Sequence, residues 1–98
     1  MSVNKVDYDV LQQAVTTYSN QANAIDDVIN ALTAMNGELQ GGWTNKTSDA
    51  FIARFESDYK VKLQNIRDAV QEISTYISQY SSNRLADDEA SAASIGGC

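Results

Sequence analysis

The sequence has no proline, no histidine and only one cysteine in its 98 residues. Proline interrupts helix interiors at a cost of about 3 kcal/mol, so its absence favours long, unbroken helices. Histidine is the commonest metal ligand and proton shuttle among side chains, and a single cysteine cannot form a disulfide within the chain. These absences argue against a disulfide scaffold, a metal or cofactor site and most enzymes.

Long apolar runs are also missing, and the first residues lack the basic and then apolar composition of a cleaved signal peptide. The seven basic residues are scattered among thirteen acidic ones, which gives a net charge of −6. This distribution offers no cationic face that could follow phosphate groups. The sequence therefore predicts a soluble, non-enzymatic protein without a cleaved signal peptide, and nucleic acid is not an expected partner.

A first amphipathic helix is predicted over residues of about 7–40, with Asp7 as its N-cap. Its apolar residues recur in alternating steps of four and three, which keep them on one side of a helix. They are Leu11, Val15, Tyr18, Ala22, Ile25, Ile29 and Leu32. The pair Asn36-Gly37 is a competing end for this helix, but Leu39 continues the repeat. We therefore expect the helix to continue there, with a kink or fraying.

A second amphipathic helix is predicted over residues of about 46–83. Its apolar residues are Phe55, Tyr59, Leu63, Ile66, Val70, Ile73 and Ile77. The three steps from Phe51 to Leu63 are all steps of four. The apolar stripe is therefore expected to drift around the helix at its start and then to settle into a steady line.

The two helices are joined by a short segment, residues 41–45, in which Gly41 is expected to end the first helix in a left-handed conformation. A connection this short implies antiparallel neighbours, so residues 1–84 are predicted to form an all-α helical hairpin. Residues 85–98 are small and acidic, and they are predicted to form a flexible tail in which Cys98 is incidental.

Both helices carry more apolar surface than one partner helix can cover. The additional positions on the first helix are Val10, Ala14, Ala24, Val28, Ala31 and Met35, and those on the second include Phe51, Phe55, Ala69 and Tyr76. Burying this surface favours association of two hairpins into a four-helix bundle. The apolar residues of the two helices are therefore expected to form both the hairpin seam and the dimer interface. The second hairpin could be another copy or a related chain.

The turn carries Trp43, Asn45 and, further on, Phe51 between two long heptad helices. In this respect the chain resembles the WXG family of small type VII (ESX) secreted, early-secreted-antigen-like proteins of Gram-positive bacteria and mycobacteria. The third position of the family motif, usually glycine, is Asn45 here. The family's C-terminal export signal, a tyrosine with an acidic residue four positions on, is missing, since Tyr80 is followed at that distance by Arg84.

The resemblance implies a dimeric helical bundle that a type VII membrane ATPase exports from the cytoplasm, and that acts outside the cell as a virulence-associated effector or adaptor. The missing signal suggests an alternative, a chaperone-like heterodimeric partner that covers the helical leader of a larger type VII toxin. A membrane-perturbing protein is a third class, which the negative charge opposes. Trp43 is expected either to plug the end of the hairpin or to belong also to an export surface.

Overall fold

The computed structural model describes residues 5–96, with side chains described for residues 5–86. Three α-helices follow one another: α1 (Tyr8–Gly42), α2 (Lys46–Arg54) and α3 (Lys60–Gly96). A π-helical turn, Phe55–Tyr59, joins α2 to α3 without a break. The two resulting rods lie antiparallel as a helical hairpin with a longest dimension of 78 Å, and the described part of the chain contains no strand. The predicted fold class, an all-α hairpin, is confirmed.

The α1 helix is longer and more regular than predicted. It begins after Asp7, whose side chain accepts hydrogen bonds from the backbone N–H groups of Asp9 and Val10. It passes through Asn36 and Gly37 and ends at Gly42, and the backbone of the next residue, Trp43, is extended. The prediction that Gly41 adopts a left-handed conformation is wrong, since Gly41 is helical and no described glycine has a positive φ. The remaining connection therefore consists only of residues 43–45.

The π-turn corrects the predicted drift of the second apolar stripe. In a regular α-helix each step of four residues advances by about 40° beyond a full turn, so three steps displace the stripe by about 120°. Here the backbone N–H of Lys60 donates to the carbonyl of Phe55, five residues earlier. The extra residue in the π-turn reduces this displacement of the stripe by about 100°. Phe51 and Leu63 thereby remain on nearly the same side of the rod.

Small side chains bring α1 and α3 together at mid-length. Ser74 is fully buried, and its hydroxyl donates to the backbone carbonyl of Val15 at 2.9 Å. The Ser19 hydroxyl lies 2.7 Å from it and therefore serves as the donor of that second bond. Within residues 5–86, the buried apolar residues are Ala22 and Ile29 of α1 and Phe55 of the π-turn. The hairpin thus has a thin core, which leaves much of its apolar surface outside.

The second rod continues beyond its predicted end near residue 83, since α3 reaches Gly96. The segment after Arg84 was predicted to be a flexible tail. It is rich in alanine and contains no proline, a composition that favours a helix. The division of the chain into a hairpin and an acidic tail stays a prediction, and Cys98 lies outside the described residues. Among the described helices, none is long and apolar enough to cross a membrane.

Replacing Gly37 with Ala is expected to stabilise the hairpin by about 0.5–1 kcal/mol, because glycine is a poor helix former. A Cβ atom at this position would meet no described atom within 4 Å. Thermal unfolding followed by circular dichroism should show a Tm higher by roughly 2–8 °C. An unchanged or lower Tm would mean that Gly37 is not helical in solution.

Candidate functional site

The turn end of the hairpin is fixed by a reciprocal capping box. The side-chain oxygen of Asn45 accepts a hydrogen bond from the backbone N–H of Ser48 at 2.8 Å. The Ser48 hydroxyl in return accepts from the backbone N–H of Asn45 at 2.9 Å, and this serine is 1% exposed. Asn45 has an extended backbone rather than a left-handed one. Its role in the turn is therefore that of an N-cap.

Replacing Asn45 with Ala is expected to destabilise the hairpin by about 1 kcal/mol, because one backbone N–H of α2 loses its acceptor. Replacing it with Gly, the usual family residue, should cost only a few tenths of a kcal/mol. Urea denaturation of the two variants beside the wild type measures both values. A loss for Asn45→Gly as large as that for Asn45→Ala would contradict the capping role.

Trp43 and Phe51 form an aromatic pair beside this cap. Their ring centroids lie 6.0 Å apart with an interplanar angle of 38°, a spacing typical of favourable aromatic contacts. The backbone N–H of Trp43 donates to the carbonyl of Leu39 at 2.8 Å, which holds the tryptophan against the last turn of α1. Trp43 is half-buried and Phe51 is 37% exposed. The pair therefore presents an aromatic surface at the turn end.

One side of the hairpin is polar and carries an ion pair between the helices. The Arg67 guanidinium donates to Asp26 of α1 at 2.7 Å and to its neighbour Asp68 at 3.1 Å. The hydrogen bond to Asp26, and then that to Asp68, raises the pKa of Arg67 above its ordinary value. These three residues line a shallow cleft together with Ala22, Asn23 and Gln71. The polar sides of α1 and α3 therefore adjoin.

The opposite side of the hairpin is an exposed apolar face. Successive residues of a helix are rotated by about 100° around its axis. The buried residues Ala22 and Ile29 form a line along α1. Asp26 lies on one side of this line, and Tyr18 and Leu32 lie on the other side. On the second rod, Ile66 and Ile73 lie on the other side of the buried Ser74 from Arg67, which contacts Asp26. The exposed apolar side chains of the two rods therefore share one surface of the hairpin. We call this set the apolar face, and it comprises Val10, Tyr18, Val28, Leu32 and Met35 of α1 with Phe51, Tyr59, Ile66, Ile73 and Tyr80 of the second rod.

The structure divides the predicted seam residues into two groups. Those inside or at the edge of the hairpin are Ala22, Ile29 and Phe55, which are buried, and Leu11, Val15, Ile25, Leu63, Val70 and Ile77, which are half-buried. Those left exposed are Tyr18, Leu32, Tyr59, Ile66 and Ile73. The first group packs the two rods together, and the second belongs to the apolar face. Their joint role in a dimer interface stays a prediction.

Sequence reasoning missed the polar residues of the seam, because it followed apolar side chains alone. A second series with alternating steps of four and three runs along α3 through Leu63, Arg67, Val70, Ser74, Ile77 and Ser81. Ser74 and Arg67 of this series make the described contacts with α1. Ser48 could have been found too, because it stands three residues after Asn45, the spacing of a capping box.

Comparison with known proteins gives one result that bears on identity. A family model described as "WXG100: Proteins of 100 residues with WXG" matches residues 4–89. The chain belongs to the WXG100 family. No curated protein and no solved structure matches it significantly. As a WXG100 protein, it has the helical hairpin of that family and is a small protein associated with type VII secretion.

WXG100 proteins are secreted by the type VII pathway, generally form dimers in secretion, and belong to a non-enzymatic family. In this member the motif reads Trp43-Thr44-Asn45. The departure at Asn45 is compatible with the fold, because the capping box uses the asparagine side chain and the backbone there is extended. The family resemblance of the turn is therefore part of a match that extends over most of the chain.

Proposed function

We propose that this chain is exported by a type VII membrane ATPase as a dimeric helical bundle, and that it acts outside the cell as an effector or adaptor without catalytic activity. The observation that carries the proposal is the apolar face, which runs along both rods from Val10 and Tyr80 at the open end to Met35 and Phe51 at the turn end. A face of this length needs a partner to cover it.

The size of the apolar face fits a stable interface. Ten half-exposed large side chains offer roughly 70–100 Å² each, which amounts to the order of 700–1,000 Å² per hairpin. Standard protein interfaces take about 800 Å² from each partner. Only three apolar residues are buried in the single hairpin among those whose side chains are described, so covering this face also contributes to folding.

The charges of α1 are compatible with such an interface. The helix has no basic residue, and Asp9, Asp27 and Glu38 lie about 160–180° from Ile29 around the helix axis. Asp26 pairs with Arg67 on the polar side. The apolar face of α1 is therefore free of carboxylates, and a partner can approach it without burying a charge.

A chaperone-like heterodimer with a larger type VII toxin is the alternative, and the position of Arg84 favours it. Arg84 stands where the family's export signal has an acidic residue. A chain without its own signal would depend on the signal of a partner. The first test is the mass of the purified chain by light scattering over a dilution series. A dimer supports the self-sufficient bundle, whereas a monomer at all concentrations would exclude it and support the heterodimer.

Replacing Trp43 with Ala is expected to leave the helix content nearly unchanged and to reduce export, because the aromatic pair lies outside the core between α1 and α3. The measurement is the ratio of secreted to cellular protein in a strain with an active type VII system, with circular dichroism of the purified variant. Phe51→Leu, which keeps an apolar side chain beside Trp43, is the matched control. Export of Trp43→Ala at the wild-type level would remove Trp43 from the export surface.

A further inference from the structure

We infer that Asn36 is a self-modification site, which is stable in the folded hairpin and loses its side-chain amide when the turn end of α1 opens. In the sequence the pair Asn36-Gly37 competes as an end of the first helix, but α1 passes through it. Asparagine is among the chemically labile residues of proteins, and a following glycine hinders its cyclisation least, because glycine has no Cβ. Of the asparagines in the sequence, Asn36 is the one followed by glycine.

The reaction needs only the chain itself and water. The backbone nitrogen of Gly37 attacks the Cγ of Asn36 and forms a new N–Cγ bond. The Cγ–Nδ2 bond breaks, and the leaving nitrogen takes the amide proton of Gly37, so that ammonia is released and a succinimide ring remains. Water then cleaves one of the two C–N bonds of the ring. Cleavage at Cγ gives aspartate, and cleavage at the backbone carbonyl gives isoaspartate, in which the main chain runs through Cβ and Cγ.

The helical backbone of α1 prevents the first step. In the helix the N–H of Gly37 is directed at the carbonyl four residues earlier. A helical ψ of about −42° at Asn36 also holds the Gly37 nitrogen out of the plane in which the ring closes. Ring closure therefore requires a rotation that breaks the helix at this residue. The Asn36 Nδ2 atom is buried and has no hydrogen-bond partner among the described residues, so the protection comes from the backbone and not from a bond to the amide.

The turn end is the part of α1 that opens most easily. Gly37, Gly41 and Gly42 all lie within its last six residues, and each glycine weakens a helix. Local opening of such a segment costs less free energy than unfolding of the whole domain. Gly37 is exposed, and a Cβ atom there would meet no described atom within 4 Å, so water reaches this residue as soon as the helix opens. The site thus responds to opening of the turn end before the whole hairpin unfolds.

Modification prevents the turn end from closing again. Asn36 follows the buried Ile29 by seven residues and therefore lies on the side of α1 that faces the second rod. Aspartate places a carboxylate at this half-buried position, and isoaspartate adds a carbon atom to the main chain, which interrupts the hydrogen-bond ladder of the helix. Leu39, whose carbonyl accepts from the backbone N–H of Trp43, lies just beyond this point. A chain that stays open therefore loses the arrangement that positions Trp43.

The test compares the full-length chain in buffer with the same chain in urea above its unfolding transition, at one pH and one temperature. Peptide mapping by mass spectrometry measures the aspartate and isoaspartate formed at Asn36. We expect conversion in urea to be at least about tenfold faster than in buffer, because the open form is a minor state of the folded chain. Asn30, which is followed by Ala31 in the same helix, is the internal control and should convert more slowly than Asn36 in urea.

Gly37→Ala is the matched variant, since it keeps Asn36 and adds a methyl group beside the attacking nitrogen. After conversion in urea and dilution, wild-type chains should regain less helix in circular dichroism, whereas Gly37→Ala chains held for the same time should regain all of it. Equal conversion in buffer and in urea would overturn protection by the fold. Conversion of Asn36 no faster than that of Asn30 would overturn the site itself, and full recovery of helix by converted chains would overturn its effect on refolding.

Discussion

Ile29→Asp is expected to unfold the hairpin. Ile29 is 3% exposed and is one of only three buried apolar residues among those described. A carboxylate at this point loses its water, and the packing of the isoleucine is lost as well, so the combined cost is about 4 kcal/mol or more. Small domains are stable by about 5–15 kcal/mol, and a core this thin belongs near the lower limit. Far-ultraviolet circular dichroism should show most of the helix signal lost.

Ile66→Asp is the matched control for this substitution, since it makes the same chemical change on an apolar residue of the other rod. Ile66 is 53% exposed on the apolar face, so its carboxylate remains hydrated in the single hairpin. We expect this variant to retain more helix than Ile29→Asp and to lose the dimer mass in light scattering. Ile29→Asp with wild-type helicity would contradict the burial of Ile29, and Ile66→Asp with an unchanged dimer mass would exclude Ile66 from the interface.

The contrast between these two residues marks the limit of what the sequence could predict. Ile29 and Ile66 both belong to alternating steps of four and three, and this spacing correctly predicts two long helices and a hairpin. Spacing alone does not say which of two adjacent apolar stripes faces the partner helix. Which stripe faces the partner helix depends on Ser74, which allows close contact with α1. It also depends on Arg67, which binds Asp26 on the polar side of the hairpin, opposite the apolar face. Neither residue is apolar, so neither belonged to the pattern.

The turn shows the same division between what local chemistry can predict and what packing decides. The short connection between the helices was predicted from residue types. The end of α1 was not predicted, because Gly41 is compatible both with a left-handed terminus and with continuation of the helix. The structure takes the second option, which brings Trp43 to the end of α1 and against Phe51.

Deleting Glu72 is expected to cost about 3 kcal/mol or more, because it rotates the two parts of α3 by about 100° relative to each other. Ser74 and Arg67, on either side of the deletion, then cannot both face α1. Deleting Ser57 should change the stability by less than about 1 kcal/mol, because the π-turn holds one residue beyond a regular turn and its loss leaves a plain α-helix. Phe55 and Leu63 would keep their common side.

Urea denaturation of the two deletion variants measures this difference directly. Both lost residues are exposed in the structure, and the Ser57 hydroxyl donates only to the carbonyl of Ala53 within its own rod. The two deletions therefore differ chiefly in whether they rotate one part of the second rod relative to the other. Equal losses for both variants would mean that the π-turn does not supply the register of the second rod. A tolerated Ser57 deletion with an unfolded Glu72 deletion would establish that the extra residue at Phe55–Tyr59 holds α2 and α3 against the same side of α1.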